Sequence, residues 1–175
     1  GNGPVVQLYY DYCGPETLYQ NNNKNWAPFH EACRGGYRVL VNWLLEREGG
    51  KIVEEARDDS GVTPLHIACK MGFVHMANDL INAATPKIVS TSVNNEGISA
   101  LHVACRSGRL DMVKLLVERA GKQVLRELKD NNGNTPFLIA VKTGSIDMIH
   151  YLVSVAGPPI IREAVNDSGW TAVHE

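Results

Sequence analysis

The segment Thr63-Pro64-Leu65-His66-Ile67-Ala68 returns in altered copies every 36 residues along this chain. Ala27-Pro28-Phe29-His30-Glu31-Ala32 precedes it. Ser99-Ala100-Leu101-His102-Val103-Ala104, Thr135-Pro136-Phe137-Leu138-Ile139-Ala140 and Thr171-Ala172-Val173-His174 follow. The copies start at 27, 63, 99, 135 and 171 without slippage. Self-similarity at a fixed period of this length means modules stacked side by side, each covering its neighbour's apolar face. Such an array presents an extended surface rather than a closed pocket.

Each unit reads the same way. A polar turn opens it: Asp58-Asp59-Ser60-Gly61, Asn94-Asn95-Glu96-Gly97, Asp130-Asn131-Asn132-Gly133, Asn166-Asp167-Ser168-Gly169. The glycine suits a position of positive φ, and Asn25, the next most tolerant type, stands there in the first unit. Thr63, Ser99, Thr135 and Thr171 then suit helix N-caps, and Pro64 and Pro136 suit the first helical position, where the missing N–H costs nothing. Ala27 is a weaker cap. Gly36, Gly72, Gly108 and Gly144 end this first helix. A second helix carries an i, i+3, i+4 apolar stripe: Val41/Leu44/Leu45, Ala77/Leu80/Ile81, Val113/Leu116/Val117, Ile149/Leu152/Val153. Next comes an apolar pair, Ile52-Val53, Ile88-Val89, Val124-Leu125 or Ile160-Ile161, preceded in two units by Thr85-Pro86 and Gly157-Pro158, which read as a cap followed by the first helical residue. This predicts one extra helical turn closing the underside of each unit.

Four complete units follow from this reading, 22–57, 58–93, 94–129 and 130–165. Residues 3–21, with Val5, Val6, Leu8 and Tyr9, read as the second helix of an earlier partial repeat. Residues 166–175 read as the front of a later one, so a piece of a longer array or larger protein is expected.

The pattern Asp-x-x-Gly-x-Thr-Pro-Leu-His-x-Ala, then Gly, then Val-x-x-Leu-Leu resembles the ankyrin repeat. Units 58–93 and 94–129 carry it best, and the likeness covers nearly the whole chain. The common unit has about 33 residues; the three added here fall where the extra turn is expected. The resemblance implies an all-α ankyrin solenoid of helix-turn-helix units with protruding β-hairpin or turn fingers. It also implies a concave surface made by fingers and first helices, and partners that are proteins.

On a first helix at about 100° per residue, Lys70 lies about 140° from Leu65, away from the apolar face of Leu65, Ala68 and Cys69. Arg34, Arg106 and Lys142 are its counterparts, so a column of four cations runs along the array. Spaced about 10 Å apart, about one Debye length at 0.1 M salt, they favour an acidic or phosphorylated protein or peptide partner. The other account is a plain solvated face, and both stay open here. The residues after the turn glycine, Trp26, Val62, Ile98, Asn134 and Trp170, form a second candidate row at the fingers. An exposed tryptophan is a common interface anchor, while packing against adjoining fingers is the alternative. Asp59, Asn95 and Asn131 flank this row with Asn23 and Asp167, and are candidates for either contact or turn structure.

His30, His66, His102 and His174 lie one repeat apart, which denies a convergent metal or catalytic cluster. A neutral imidazole bridging backbone groups of the helix cap accounts for them, and Leu138 takes the position in the fourth unit. His75 and His150 read as surface or rim residues. No nucleophile elbow, phosphate loop, HExxH pattern or paired CxxC occurs, so no catalytic residue, metal or cofactor is expected. Cys33, Cys69 and Cys105 share one place in successive units. Helices packed about 8–10 Å apart hold them beyond the roughly 7 Å reach of a disulfide, so buried free thiols and a reducing, intracellular setting are expected.

The formal net charge of -2 and the acidic Glu54-Glu55 and Asp58-Asp59 count against a nucleic-acid or anionic-lipid binder. No apolar run approaches the roughly 20 residues of a membrane span, and Gly1-Asn2-Gly3-Pro4 opens no signal peptide. The expected function is a non-catalytic protein-interaction scaffold. The alternatives are a regulatory or targeting ankyrin domain of a larger enzyme or channel, and a weak binder of anionic lipid or nucleic acid.

Overall fold

The computed structural model describes residue 11, residues 22–85 and residues 87–174. The partial repeat expected over 3–21 therefore lies outside the described residues apart from residue 11, as do Pro86 and Glu175.

Four short first helices, α1 (Pro28–Arg34), α4 (Pro64–Met71), α7 (Ala100–Arg106) and α10 (Pro136–Lys142), stack on one another in sequence order. Each packs against the longer helix that follows it, α2 (Arg38–Glu48), α5 (Val74–Ala83), α8 (Leu110–Ala120) or α11 (Ile146–Ala156). Helices α2, α5 and α8 form a second stack behind the first. The extra turns are present as α3 (Lys51–Glu55), α6 (Ile88–Thr91), α9 (Val124–Glu127) and α12 (Ile160–Glu163). The last begins two residues beyond Pro158, so Gly157-Pro158 precedes the cap instead of forming it. Ile52, Val53, Ile88, Val89, Val124, Leu125 and Ile160 are all buried from these turns.

The core is one ribbon running the length of the stack. Phe29, Leu65, Leu101 and Phe137 fill the same place in successive first helices, and Leu44, Leu80, Leu116 and Leu152 do so in the second helices, all essentially inaccessible. Each such side chain contributes about 1.5–3 kcal/mol by leaving water. The stripe dries in order: its three residues are buried in α2, α5 and α8, while Ile149 and Val153 of α11 stay half-buried. No second helix among the described residues packs on that outer side, which is how an array with nearest-neighbour contacts behaves.

The fingers are turns rather than strands among the described residues. Their only bridges are the single antiparallel pairs Val93 with Ser99 and Val165 with Thr171. One device repeats in all of them. The side-chain oxygen of Asn22, Asp58, Asn94, Asp130 or Asn166 accepts backbone N–H groups two and four residues on, at 2.7–3.1 Å, the local bonding that suits Asn and Asp to turns. Asn25 does adopt positive φ, at 57°, where later units use glycine. Gly97 (φ +73°) has a further reason to be glycine: a Cβ there would lie 2.5 Å from Asn131 Oδ1 and 2.9 Å from Asn131 N in the next finger.

Thr63, Ser99 and Thr135 accept the backbone N–H of His66, His102 and Leu138 as N-caps. Ala27 offers no such acceptor, yet His30 Nδ1 accepts the Ala27 N–H at 3.1 Å, so this end of α1 is still tied. Arginines clamp neighbouring units from outside the core: Arg38 to Asp79, Arg119 to Asn78 and Asn82, and Arg126 to Glu163 and the Ala156 carbonyl. Among the described residues no helix is long and apolar enough to cross a membrane.

Candidate functional site

Stacking puts the last-turn cations of the first helices on one open side of the array. Leu65, Ala68 and Cys69 point into the core, so the helical period turns Lys70 outward, and Arg34, Arg106 and Lys142 are likewise exposed. Three of the four, Arg34, Lys70 and Arg106, line a groove of about 490 Å³ between the first helices and the fingers. Trp26, Val62, Ile67, Met71, Ile98 and Val103 give it an apolar lining, and Asp58 and Glu96 stand on its finger side. Lys142 is not among the lining residues.

The three groove cations differ in electrostatic state. Arg34 is already engaged: its Nη2 lies 2.6 Å from Glu31 Oε1 and its Nε donates to Glu31 Oε2. The hydrogen-bonded Arg34 guanidinium in turn holds the Glu31 carboxyl below the usual range, with help from the Trp26 indole N–H. Lys70 and Arg106 have no ion-pair partner among the described residues. The column is therefore centred on these two positions instead of being uniform.

The finger row divides. Ile98 and Asn134 are 6% and 7% exposed, so their side chains offer little to a partner. Ile98 seals the joint between fingers, and the Asn134 amide donates to Asp130 and accepts from the Asn166 amide at 3.0 Å. Trp26 and Val62 are half-buried in the groove wall, and Trp26 lies against the His30 ring at 5.0 Å. Trp170 is 45% exposed. Asp59, Asn95 and Asn131 are exposed, but the two amides are used laterally. Asn95 Nδ2 donates to the Asp59 carbonyl at 2.8 Å and Asn131 Nδ2 to the Asn95 carbonyl at 3.0 Å. Backbone bonds run alongside, from Asp59 N to Lys24 O, Asn95 N to Ser60 O, Asn131 N to Glu96 O and Asp167 N to Asn132 O. The fingers are thus cross-linked into a wall.

The histidines hold that wall to the helices. His66 Nδ1 accepts from its own cap residue Thr63, while Nε2–H donates to the Ile98 carbonyl of the next finger at 2.9 Å. His102 repeats this with Ser99 and the Asn134 carbonyl, and His30 with Ala27 and the Val62 carbonyl. This geometry requires neutral rings. Burial pushes the His66 imidazole down to about 4, and burial likewise lowers His30 and His102. Where Leu138 stands instead, the Asn134–Asn166 amide bond ties the two fingers. Cys33, Cys69 and Cys105 are buried and free, with their thiols raised by desolvation. Among the described residues no three potential ligands are grouped to hold a metal.

Sequence reasoning passed over Ile67, Met71 and Val103 as groove residues. A signal existed for Val103, which lies about 60° from Arg106 on the helix wheel; Ile67 stands at the same angle from Lys70 but is 6% exposed and belongs to the core. Met71 has Gly35, Ser107 and Thr143 as counterparts, so periodicity gave no hint of it.

No curated relative matches the chain. A family model described as ankyrin repeats, in three copies, matches residues 1–90, 53–127 and 87–160. With matched residues spanning most of its length and the helix stacks in register, the chain belongs to the ankyrin repeat family, whose members are generally protein-interaction modules.

Proposed function

We propose that this chain is a non-catalytic interaction module that holds an acidic protein or peptide in the groove between its first helices and its fingers. The observation that carries this reading is the pairing of two cations without an ion-pair partner among the described residues, Lys70 and Arg106, with an apolar strip at Val62, Met71 and Val103. Apolar contact supplies affinity, and the cations supply orientation and rate of capture. Arg34, Trp26 and the exposed Trp170 extend the same face; Lys142, Asp59, Asn95 and Asn131 serve it more weakly, the two asparagines through the finger wall. The buried free thiols support a reducing, intracellular setting. The finger-side acids Asp58 and Glu96 and the net charge of -2 disfavour RNA and anionic lipid as ligands.

The test is quantitative affinity capture from lysate with the parent protein, the double variant Lys70→Glu/Arg106→Glu, and Lys122→Glu, an exposed cation outside the groove lining, as control. Proteins retained by the parent and by Lys122→Glu but lost from the double variant, at unchanged helical content, support the groove. Equal retention by all three refutes it.

A further inference from the structure

Resting on that reading, we infer that the groove selects a partner segment in the polyproline II conformation with carboxylates on every third residue. Three observations combine. First, the cations without an ion-pair partner among the described residues come in register, one per repeat, at Lys70 and Arg106, each near the C-terminal end of a stacked first helix. Their spacing is set by helix stacking, about 8–10 Å. A polyproline II segment has three residues per turn and rises about 3.1 Å per residue, so positions i and i+3 share a face about 9.3 Å apart. A β-strand places same-face side chains at about 6.6 or 13 Å, so a residue set on one cation leaves the next out of register. An α-helix meets the spacing only over two turns.

Second, the strip beside the cations is apolar: Val62, Met71 and Val103. Backbone N–H groups pressed against it would lose water without gaining an acceptor. Proline has no N–H and an apolar ring, so intervening prolines remove that cost while packing on the strip. Third, the opposite wall carries Asp58 and Glu96. Carboxylates displayed on more than one face would meet these acids, whereas a period of three confines them to the cationic side. The engaged Arg34 marks the weak end of the site, since Glu31 already occupies its guanidinium.

The experiment is fluorescence anisotropy with three labelled peptides of four glutamates each: ten residues of Glu-Pro-Pro repeated with Glu at positions 1, 4, 7 and 10; the same composition with paired glutamates at both ends; and a 22-residue alanine-based peptide, long enough to be helical, with Glu at positions 1, 8, 15 and 22. The in-register peptide is expected to bind at least fivefold tighter than either other peptide. The double variant Lys70→Glu/Arg106→Glu should abolish that preference, while Glu31→Gln/Arg34→Gln, which removes the paired charges together, weakens binding less than twofold. Equal binding of in-register and rearranged peptides, tighter binding of the helical one, or no binding of any overturns the inference. If these occur while the double variant still releases its captured proteins, the groove reading stands and only the conformational preference falls. If charge reversal changes neither peptides nor capture, both fall.

Discussion

Replacing His66 by leucine should make the protein less stable at pH 7, and the gap to the parent should close by about 2 kcal/mol by pH 4.5. The ring is 3% exposed, accepts from Thr63 and donates to the Ile98 carbonyl one finger away. Leucine fits this place, since Leu138 occupies it in the fourth unit at 2% exposure. The substitution therefore removes hydrogen bonds without opening a large cavity, and the Ile98 carbonyl keeps the Asn94 N–H. A cost of about 1–3 kcal/mol at pH 7 follows. The acid limb has the opposite sign. In the unfolded chain the imidazole titrates near its ordinary value of about 6.5, and in the folded chain burial lowers it to about 4. The unfolded state thus binds the proton first, and the parent loses stability as pH falls from about 6.5 toward 4. Linkage across that window gives a loss of about 2 kcal/mol between pH 7 and 4.5 from this residue. His30 and His102 shift in the same direction and add to the slope in both proteins. Urea titrations followed by circular dichroism at pH 7.0, 6.0, 5.0 and 4.5 measure the difference. Parallel stability curves for parent and His66→Leu over that range would refute a neutral, wall-tying histidine.

Two further substitutions probe the stack. Gly97→Ala should destabilise by about 1–3 kcal/mol, from its positive φ and the clash with Asn131 in the next finger. Gly108→Ala, at φ +66° with nothing within 4 Å, should cost about 1–2 kcal/mol from the backbone alone and less than Gly97→Ala; equal losses in urea titration would contradict a close-packed finger wall. Leu116→Ala, at a fully buried position where α8 meets its neighbours, should cost about 2–5 kcal/mol. A measured loss below half a kcal/mol would remove it from the core.

Much of this protein is local, and what is local was legible. Glycine or Asn25 at positive φ, threonine or serine caps, and the apolar rows of the second helices each depend on a few consecutive residues. Arg34 with Glu31 was equally local, an i, i+3 pair one turn apart, yet reading the cations as a column hid it. Ile98 and Asn134 went the other way. Their place after the turn glycine matches that of Trp170, but a following finger covers them, and that covering lies a whole repeat further along the chain.

By itself the sequence determined the repeat period, the helix pairs, their caps and the outward direction of Arg34, Lys70, Arg106 and Lys142, because periodicity and capping act within a few residues. Only the tertiary structure decided which cations face a groove without an ion-pair partner and which finger residues are sealed. It also decided that His66 reaches a carbonyl 32 residues away. Those outcomes arise where two units meet, and a contact between units depends on stacking geometry that no single unit encodes.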